Sequence, residues 1–173
     1  NAGIVNLKQF ARSGQINKTM HTTATRLGHL GYSAKWHRPP LNDLLVDELQ
    51  AISDEWLTSM SETEKRFAFG WFDEEYVRTS AIFAVHAEDG SITAFASLLP
   101  EYQKNEIGID LVRHRAQIDA GTMDFLLTSL LHWANQQGYD SFNLGMSVLE
   151  PRRVTSSYPS GNGAQSTAAQ ENN

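Results

Sequence analysis

EIGIDLVRHRAQIDAGTMDFLLTSLLHWANQQGYDSFNL, residues 106–144, is the stretch on which the reading of this chain turns. Its first part, Glu106 to Val112, alternates branched and small residues and predicts a strand. At Gly121-Thr122 the period changes. Phe125, Leu126, Leu130, Trp133 and Ala134 then recur at helical spacing, and Gly138 closes the run. Tyr139 to Leu144 reads as a strand again. A strand–helix–strand unit with a crossover this long returns its second strand parallel to the first.

Working upstream, Ala81–His86 and Ser91–Leu99 are β-rich runs joined by Ala87-Glu88-Asp89-Gly90, an Asp-Gly hairpin signal. Residues 61–80 carry the aromatic cluster Phe67, Phe69, Trp71, Phe72 and Tyr76, a core or the lining of an acyl pocket. Asn42 is a good N-cap for a helix bearing Leu45, Leu49, Ile52, Trp56 and Leu57, with Asp43, Asp47 and Glu48 near its positive end. Tyr32 to Trp36 predicts a short strand stopped by Pro39-Pro40. Before it, Ile16, Met20, Ala24, Leu27 and Leu30 define a helical face ending at Gly31. The order of elements indicates an α/β (α+β) domain, a mixed sheet flanked by helices, over residues 1–149. Residues 155–173 are almost all Ser, Gly, Asn, Gln, Ala, Thr and Pro. The segment 150–173 is expected to be a disordered low-complexity tail, because it buries too little apolar surface to offset its ordering entropy.

With 173 residues the chain fits one domain with a real core. It has no cysteine, which excludes disulfides, thiolate metal sites and a cysteine nucleophile. No apolar run approaches the roughly 18–20 residues that span a bilayer, and no signal peptide is visible, so a soluble piece is expected. The first residue is Asn1, in keeping with a fragment of something longer. The net charge of −6 speaks against a dedicated nucleic-acid binder, yet the charge is uneven. Residues 1–40 hold Lys8, Arg12, Lys18, Arg26, Lys35 and Arg38 and no acid, whereas residues 41–101 hold thirteen acids. A basic arm and helix beside an acidic body suits an anionic partner, or simply neutralises that body within the fold.

No metal motif, GxSxG elbow, P-loop or GxGxxG is present. The six histidines are scattered and read as surface or packing residues. The best constellation is Asp110, Arg113 and Arg115 at the end of a strand, followed by the helix start Gly121-Thr122. In such a crossover the strand end and the helix N-terminus face one crevice, which would gather a carboxylate, two guanidiniums and free N–H groups for an anionic ligand. The alternative is a structural Asp110–Arg113 ion pair with Arg115 solvated. Asn143, Gly145 and Met146 end the next strand on the same side, and a glycine there lets a ligand approach the backbone.

The runs AISDEWL, EKRFAFGWFDEEYVR, DGSITAFASLLPEY, IGIDLVRHR and GTMDFLLTSLLHWANQQGYDSFNLGMS closely resemble the C-terminal cytosolic domain of bacterial phosphatidylglycerol lysyltransferases, the multiple peptide resistance factors. The likeness spans about residues 16–149. It implies a GNAT-like acyltransferase fold, incomplete here at its C-terminus. It implies transfer of a lysyl or alanyl group from aminoacyl-tRNA to a hydroxyl of phosphatidylglycerol, at the cytoplasmic face of the bacterial membrane. The lipid gains positive charge and repels cationic antimicrobial peptides. The Asp and Arg of the family's DLxR motif fall on Asp110 and Arg113, as catalytic residues. Arg115, Gly121, Thr122, Asn143 and Gly145 are the substrate-binding candidates beside them. Lys18 and Arg26 would serve the tRNA backbone or the lipid surface. No metal and no CoA are expected: acetyl-CoA-dependent relatives of that fold carry a (Q/R)xxGxG/A loop where this chain reads RHRAQIDAGTMDF. Two other readings stay open, an acetyl-CoA-dependent N-acetyltransferase and a non-catalytic truncated remnant, the latter because a low-complexity tail follows the LGM strand.

Overall fold

The computed structural model describes residues 3–13, 18–60 and 72–145. Among the described residues, eleven strands and helices follow in chain order: β1 (Ile4–Asn6), α1 (Leu7–Ser13), α2 (Lys18–His29), β2 (Ser33–His37), α3 (Asp43–Thr58), α4 (Glu74–Arg78), β3 (Ala81–His86), β4 (Ile92–Glu101), β5 (Glu106–His114), α5 (Thr122–Gln136) and β6 (Ser141–Asn143), with a 3-10 turn at Tyr102–Lys104. The strands form one sheet in the order β1-β6-β5-β4-β3-β2. β5 and β6 run parallel and every other neighbour is antiparallel. The sheet is therefore mixed and flanked by helices, and the expected strand–helix–strand unit is its centre.

Local chemistry sets the boundaries. Asn42 caps α3 as expected, its side chain accepting from the Leu45 N–H at 2.9 Å. Gly31 ends the turn after α2 at a φ of 88°. Asp89 accepts from the Ser91 N–H and hydroxyl, which closes the β3–β4 turn. Leu30, placed by periodicity on the inner face of α2, is half exposed, since the helix stops at His29 and the chain turns away.

Two apolar cores lie on opposite faces of the sheet. On one, Leu7 and Phe10 of α1, Ala24 and Leu27 of α2, and Phe125, Leu126, Leu130 and Leu131 of α5 pack on Phe83, Val85, Ile107 and Ile109. On the other, Val46, Leu49 and Ile52 of α3 and Val77 of α4 cover Ile82, Ala84, Phe95 and Leu111. The N-terminal segment is more than a basic arm. β1 adds to the sheet beside β6, and Leu7 is fully buried. Of the expected aromatic cluster only Phe72 and Tyr76 fall in the described residues. The expected tail, and Met146, lie outside them.

Candidate functional site

The site begins with an irregularity in the sheet. β4 and β5 pair with Ser97 opposite Leu111 and Leu98 opposite Ile109, which leaves Asp110 as an extra residue on β5. In a regular strand, residues three apart point to opposite faces. The bulge resets that alternation. Asp110, Leu111 and Arg113 consequently all present themselves to the face covered by α3 and α4. Asp110 meets Tyr76 of α4, Leu111 joins the core beneath α3, and Arg113 lies over Trp56 of α3.

The two DLxR residues have opposite environments. Asp110 is exposed and accepts a hydrogen bond from the Tyr76 hydroxyl. Burial, and then that bond, push the Tyr76 phenol above its ordinary pKa, so at neutral pH it is a neutral donor. Arg113 is only 2% exposed. Its guanidinium carbon stands 3.8 Å from the Trp56 ring centroid, and Nη1 donates to the Val112 carbonyl at 2.8 Å. Burial lowers its pKa to about 10, which leaves it protonated at neutral pH. No ion pair joins Asp110 to Arg113, so among the described residues the structural-pair alternative is not what the geometry shows. On the same face Ser53 of α3 and Ser97 of β4 are fully buried, and their hydroxyls have no hydrogen-bond partner among the described residues.

The strand end and the helix start do not share one crevice. α5 packs on the opposite face from Asp110 and Arg113. Its first N–H groups are already used: Gly121 N–H donates to Asp119 Oδ1 and Thr122 N–H to the Asp119 carbonyl, both at 3.0 Å. Gly121 and Thr122 are buried, and a Cβ on Gly121 would lie 2.3 Å from Thr23 Cγ2 of α2. Arg26 is bound to Asp119 through Nη2 at 2.6 Å and Nη1 at 3.3 Å. Arg115 joins β5 to α3 through Glu55 at 3.2 Å and Glu48 at 3.9 Å, and donates through Nε to the Ile92 carbonyl at 2.8 Å. Lys18 is exposed at the start of α2. Asn143 and Gly145, by contrast, come to the flank of the site. The parallel pairing of β5 and β6 stops at Gly108 opposite Asn143. Gly145, at φ 70°, then approaches β5 so closely that a Cβ would stand 2.8 Å from the Ile109 carbonyl oxygen, one residue before Asp110. Asn143 Oδ1 accepts from the Gly145 N–H at 3.0 Å and fixes that approach.

Sequence reasoning placed Trp56 and Tyr76 only among apolar and aromatic positions. The signal that could have singled them out is chemical: an indole and a phenol are the side chains that hold a guanidinium and a carboxylate. No group of three or more His, Asp or Glu among the described residues is arranged to hold a metal ion. No helix among them is long and apolar enough to cross a membrane.

A mixed sheet whose bulge turns a carboxylate and a stacked guanidinium to one face defines an α/β domain with a polar site at the middle of its sheet. Residues 2–166 match the model of the family described as phosphatidylglycerol lysyltransferase, C-terminal, and the chain belongs to that family. It is 37% identical over 145 residues to a phosphatidylglycerol lysyltransferase of Bacillus subtilis, and 34% identical over 146 residues to one of Staphylococcus xylosus. Each match covers 84% of this chain and 17% of the relative, so the chain spans about a sixth of those proteins. Among solved structures it is similar to L-PGS of Bacillus licheniformis, at 36% identity and a TM-score of 0.73 over 83% of this chain and 45% of that one. It is also similar to the C-terminal domain of a putative lysylphosphatidylglycerol synthetase of Agrobacterium fabrum, at 32% identity and a TM-score of 0.70, with the same coverage.

Proposed function

We propose that this domain carries the acyl-transfer site of an enzyme that moves an aminoacyl group from aminoacyl-tRNA to phosphatidylglycerol. The observation that carries the reading is the bulge at Asp110, which puts an exposed carboxylate and a buried, stacked guanidinium on one face of the sheet. The relatives named above, all phosphatidylglycerol lysyltransferases or putative lysylphosphatidylglycerol synthetases, give the reaction class.

In this reaction a hydroxyl oxygen of the lipid glycerol attacks the ester carbonyl of the aminoacyl-tRNA. A new C–O bond forms, the bond to the terminal ribose oxygen breaks, and the lipid's proton finishes on that ribose oxygen. Asp110, exposed and oriented by Tyr76, is the group suited to orient the attacking hydroxyl and take its proton. Arg113 supplies fixed positive charge. Trp56 sets the plane of its guanidinium, and shielding from water strengthens its pull on a phosphodiester or a developing oxyanion. Gly145 lets the chain after β6 lie directly against β5 one residue before Asp110, since a side chain there would meet the Ile109 carbonyl oxygen. The Gly121 and Thr122 N–H groups at the start of α5 are taken by Asp119, which speaks against their holding the pyrophosphate of an acetyl-CoA donor. Lys18, exposed at the start of α2, is suited to the tRNA backbone or the anionic lipid surface.

The test uses the membrane enzyme that contains this domain, assayed for transfer of a radiolabelled aminoacyl group to phosphatidylglycerol. Asp110→Asn and Arg113→Lys should each lower transfer by at least about a hundredfold, the lower end of a general-base contribution, with melting temperatures near that of the parent. Asn keeps the shape of Asp110 without its basicity, and Lys keeps the charge of Arg113 without its planar fork. Transfer surviving in both variants would overturn the assignment.

A further inference from the structure

We propose that His37 and His86 form a two-imidazole site for a divalent transition-metal ion, on the α3 side of the sheet between strands β2 and β3. The two Nε2 atoms stand 3.3 Å apart. Two imidazoles on one tetrahedral zinc, each at 2.0–2.1 Å, hold their nitrogens about 3.3–3.4 Å apart. The rings are therefore already at the separation that a single ion would impose, with centroids 5.5 Å apart and planes tilted by 41°.

The support around the rings also fits. His86 Nδ1 lies 3.0 Å from the Gly90 carbonyl oxygen, a contact that requires the proton on Nδ1. That leaves the lone pair on Nε2, the atom 3.3 Å from His37 Nε2. Ligating histidines are characteristically oriented in this way by a backbone carbonyl on the far ring nitrogen. Without metal, His37 Nε2–H donates to His86 Nε2. Binding moves the His37 proton from Nε2 to Nδ1 and frees the second lone pair, with no net loss of a proton. Both rings are half-buried and stand on hydrogen-bonded neighbouring strands, so little freedom remains to be lost on binding. Burial, then His86 and then Lys35 lower the pKa of His37. Glu48 of α3 acts on His37 in the opposite sense, as an adjacent negative charge that favours a cation. Its Oε1 accepts from the Ile92 N–H at 3.0 Å and stands 3.9 Å from Arg115 Nη2. Lys35 is exposed, so its ammonium can move into solvent as the ion arrives. Two imidazoles select zinc, nickel or copper(II) over magnesium or calcium, with solvent filling the remaining positions. Neither residue belongs to the acyl-transfer site, so the proposal stands apart from it.

The experiment is calorimetric titration of the 173-residue chain with zinc chloride and nickel chloride at pH 7.5, beside melting curves with and without metal. The expected result is one ion per chain and a melting temperature raised by roughly 5–10 °C at a hundredfold excess over Kd. His37→Gln and His86→Gln should each cut affinity at least tenfold, and His29→Gln should leave it unchanged. A second measurement needs no variant: substoichiometric nickel should broaden the amide resonances of residues 33–37 and 82–92 before any others. Binding unaltered by both glutamine changes, or broadening first at another histidine, would overturn the proposal, as would no binding at millimolar metal.

Discussion

Gly121 shows how much one missing methyl group decides. Its ideal Cβ would sit 2.3 Å from Thr23 Cγ2, 3.3 Å from Arg26 Nη2 and 3.3 Å from Leu27 Cδ1, so α2 can lie against the start of α5 only if this residue has no side chain. The sequence suggested a glycine kept for a ligand, and the structure shows one kept for helix packing. Gly121→Ala should destabilise the domain by about 1–3 kcal/mol in a urea titration, as overpacking does. Thr23→Ala in the same chain removes the clashing methyl and should restore most of the loss. A double variant no more stable than Gly121→Ala alone would place the strain elsewhere. Asp110 and Arg113 were legible at this scale as residues, from the motif they stand in. Their shared face was not legible, because a bulge is a property of two paired strands: nothing within residues 106–114 says that Ser97 and Leu98 skip Asp110.

At the scale of elements, the strong periodic segments came through within a residue or two. α5 and the β3–β4 hairpin follow local signals of helical spacing and an Asp-Gly turn. β1 and α1 did not come through. A three-residue strand has little local signature and exists because β6 offers it a partner, with Leu144 N–H donating to the Gly3 carbonyl at 2.8 Å. The start of α5 was read as open to an anion and is closed by the protein's own anion, Asp119. That carboxylate accepts from the Gly121 N–H and pairs with Arg26, and these two contacts, Arg26 first, hold its pKa below the ordinary value of about 4. A depressed carboxylate stabilises the fold above its unfolded pKa, and the contribution disappears as pH falls through the folded value. Asp119→Ala, which removes the acceptor of the Gly121 N–H, should cost about 1 kcal/mol at pH 7, the usual net worth of one hydrogen bond. The deficit should shrink as pH falls through the lowered folded pKa of Asp119. Asp119→Asn, which keeps an acceptor for Gly121, should lie between the two at pH 7. The check is a set of melting curves from pH 2 to 7; an Asp119→Ala deficit that does not shrink on acidification would show that the charge contributes nothing.

The whole molecule is one sheet with two unequal cores, and the sheet's own residues bind them together. Along β3, Ile82 and Ala84 face α3 while Phe83 and Val85 face α5, so neither core can open without disturbing the strands of the other. The aromatic side chains extend this coupling to the sheet edge: Trp36 of β2 stacks on Trp133 of α5 at 6.0 Å, and Phe83 lies 5.8 Å from the same indole. The candidate site sits on the smaller core, where Trp56 is both packing residue and support for Arg113. Its geometry thus depends on how firmly α3 is held. Such an arrangement should unfold as one unit. Ile52→Val, in the α3 core, should lower global stability by about 0.5–1.5 kcal/mol. The slowest-exchanging amides of α5, across the sheet, should lose protection by that same amount. Leu130→Ala, from the other side, should cost about 2–5 kcal/mol and be felt equally by the amides of α3. The double variant should show the sum to within about 0.5 kcal/mol, since the two side chains share no contact through the sheet. Native-state hydrogen exchange in the chain and the three variants reads all of these values. If Ile52→Val loosened only α3 and left α5 as protected as before, the α3 layer would be a separate cooperative unit, and the site on that face would open without the rest of the fold.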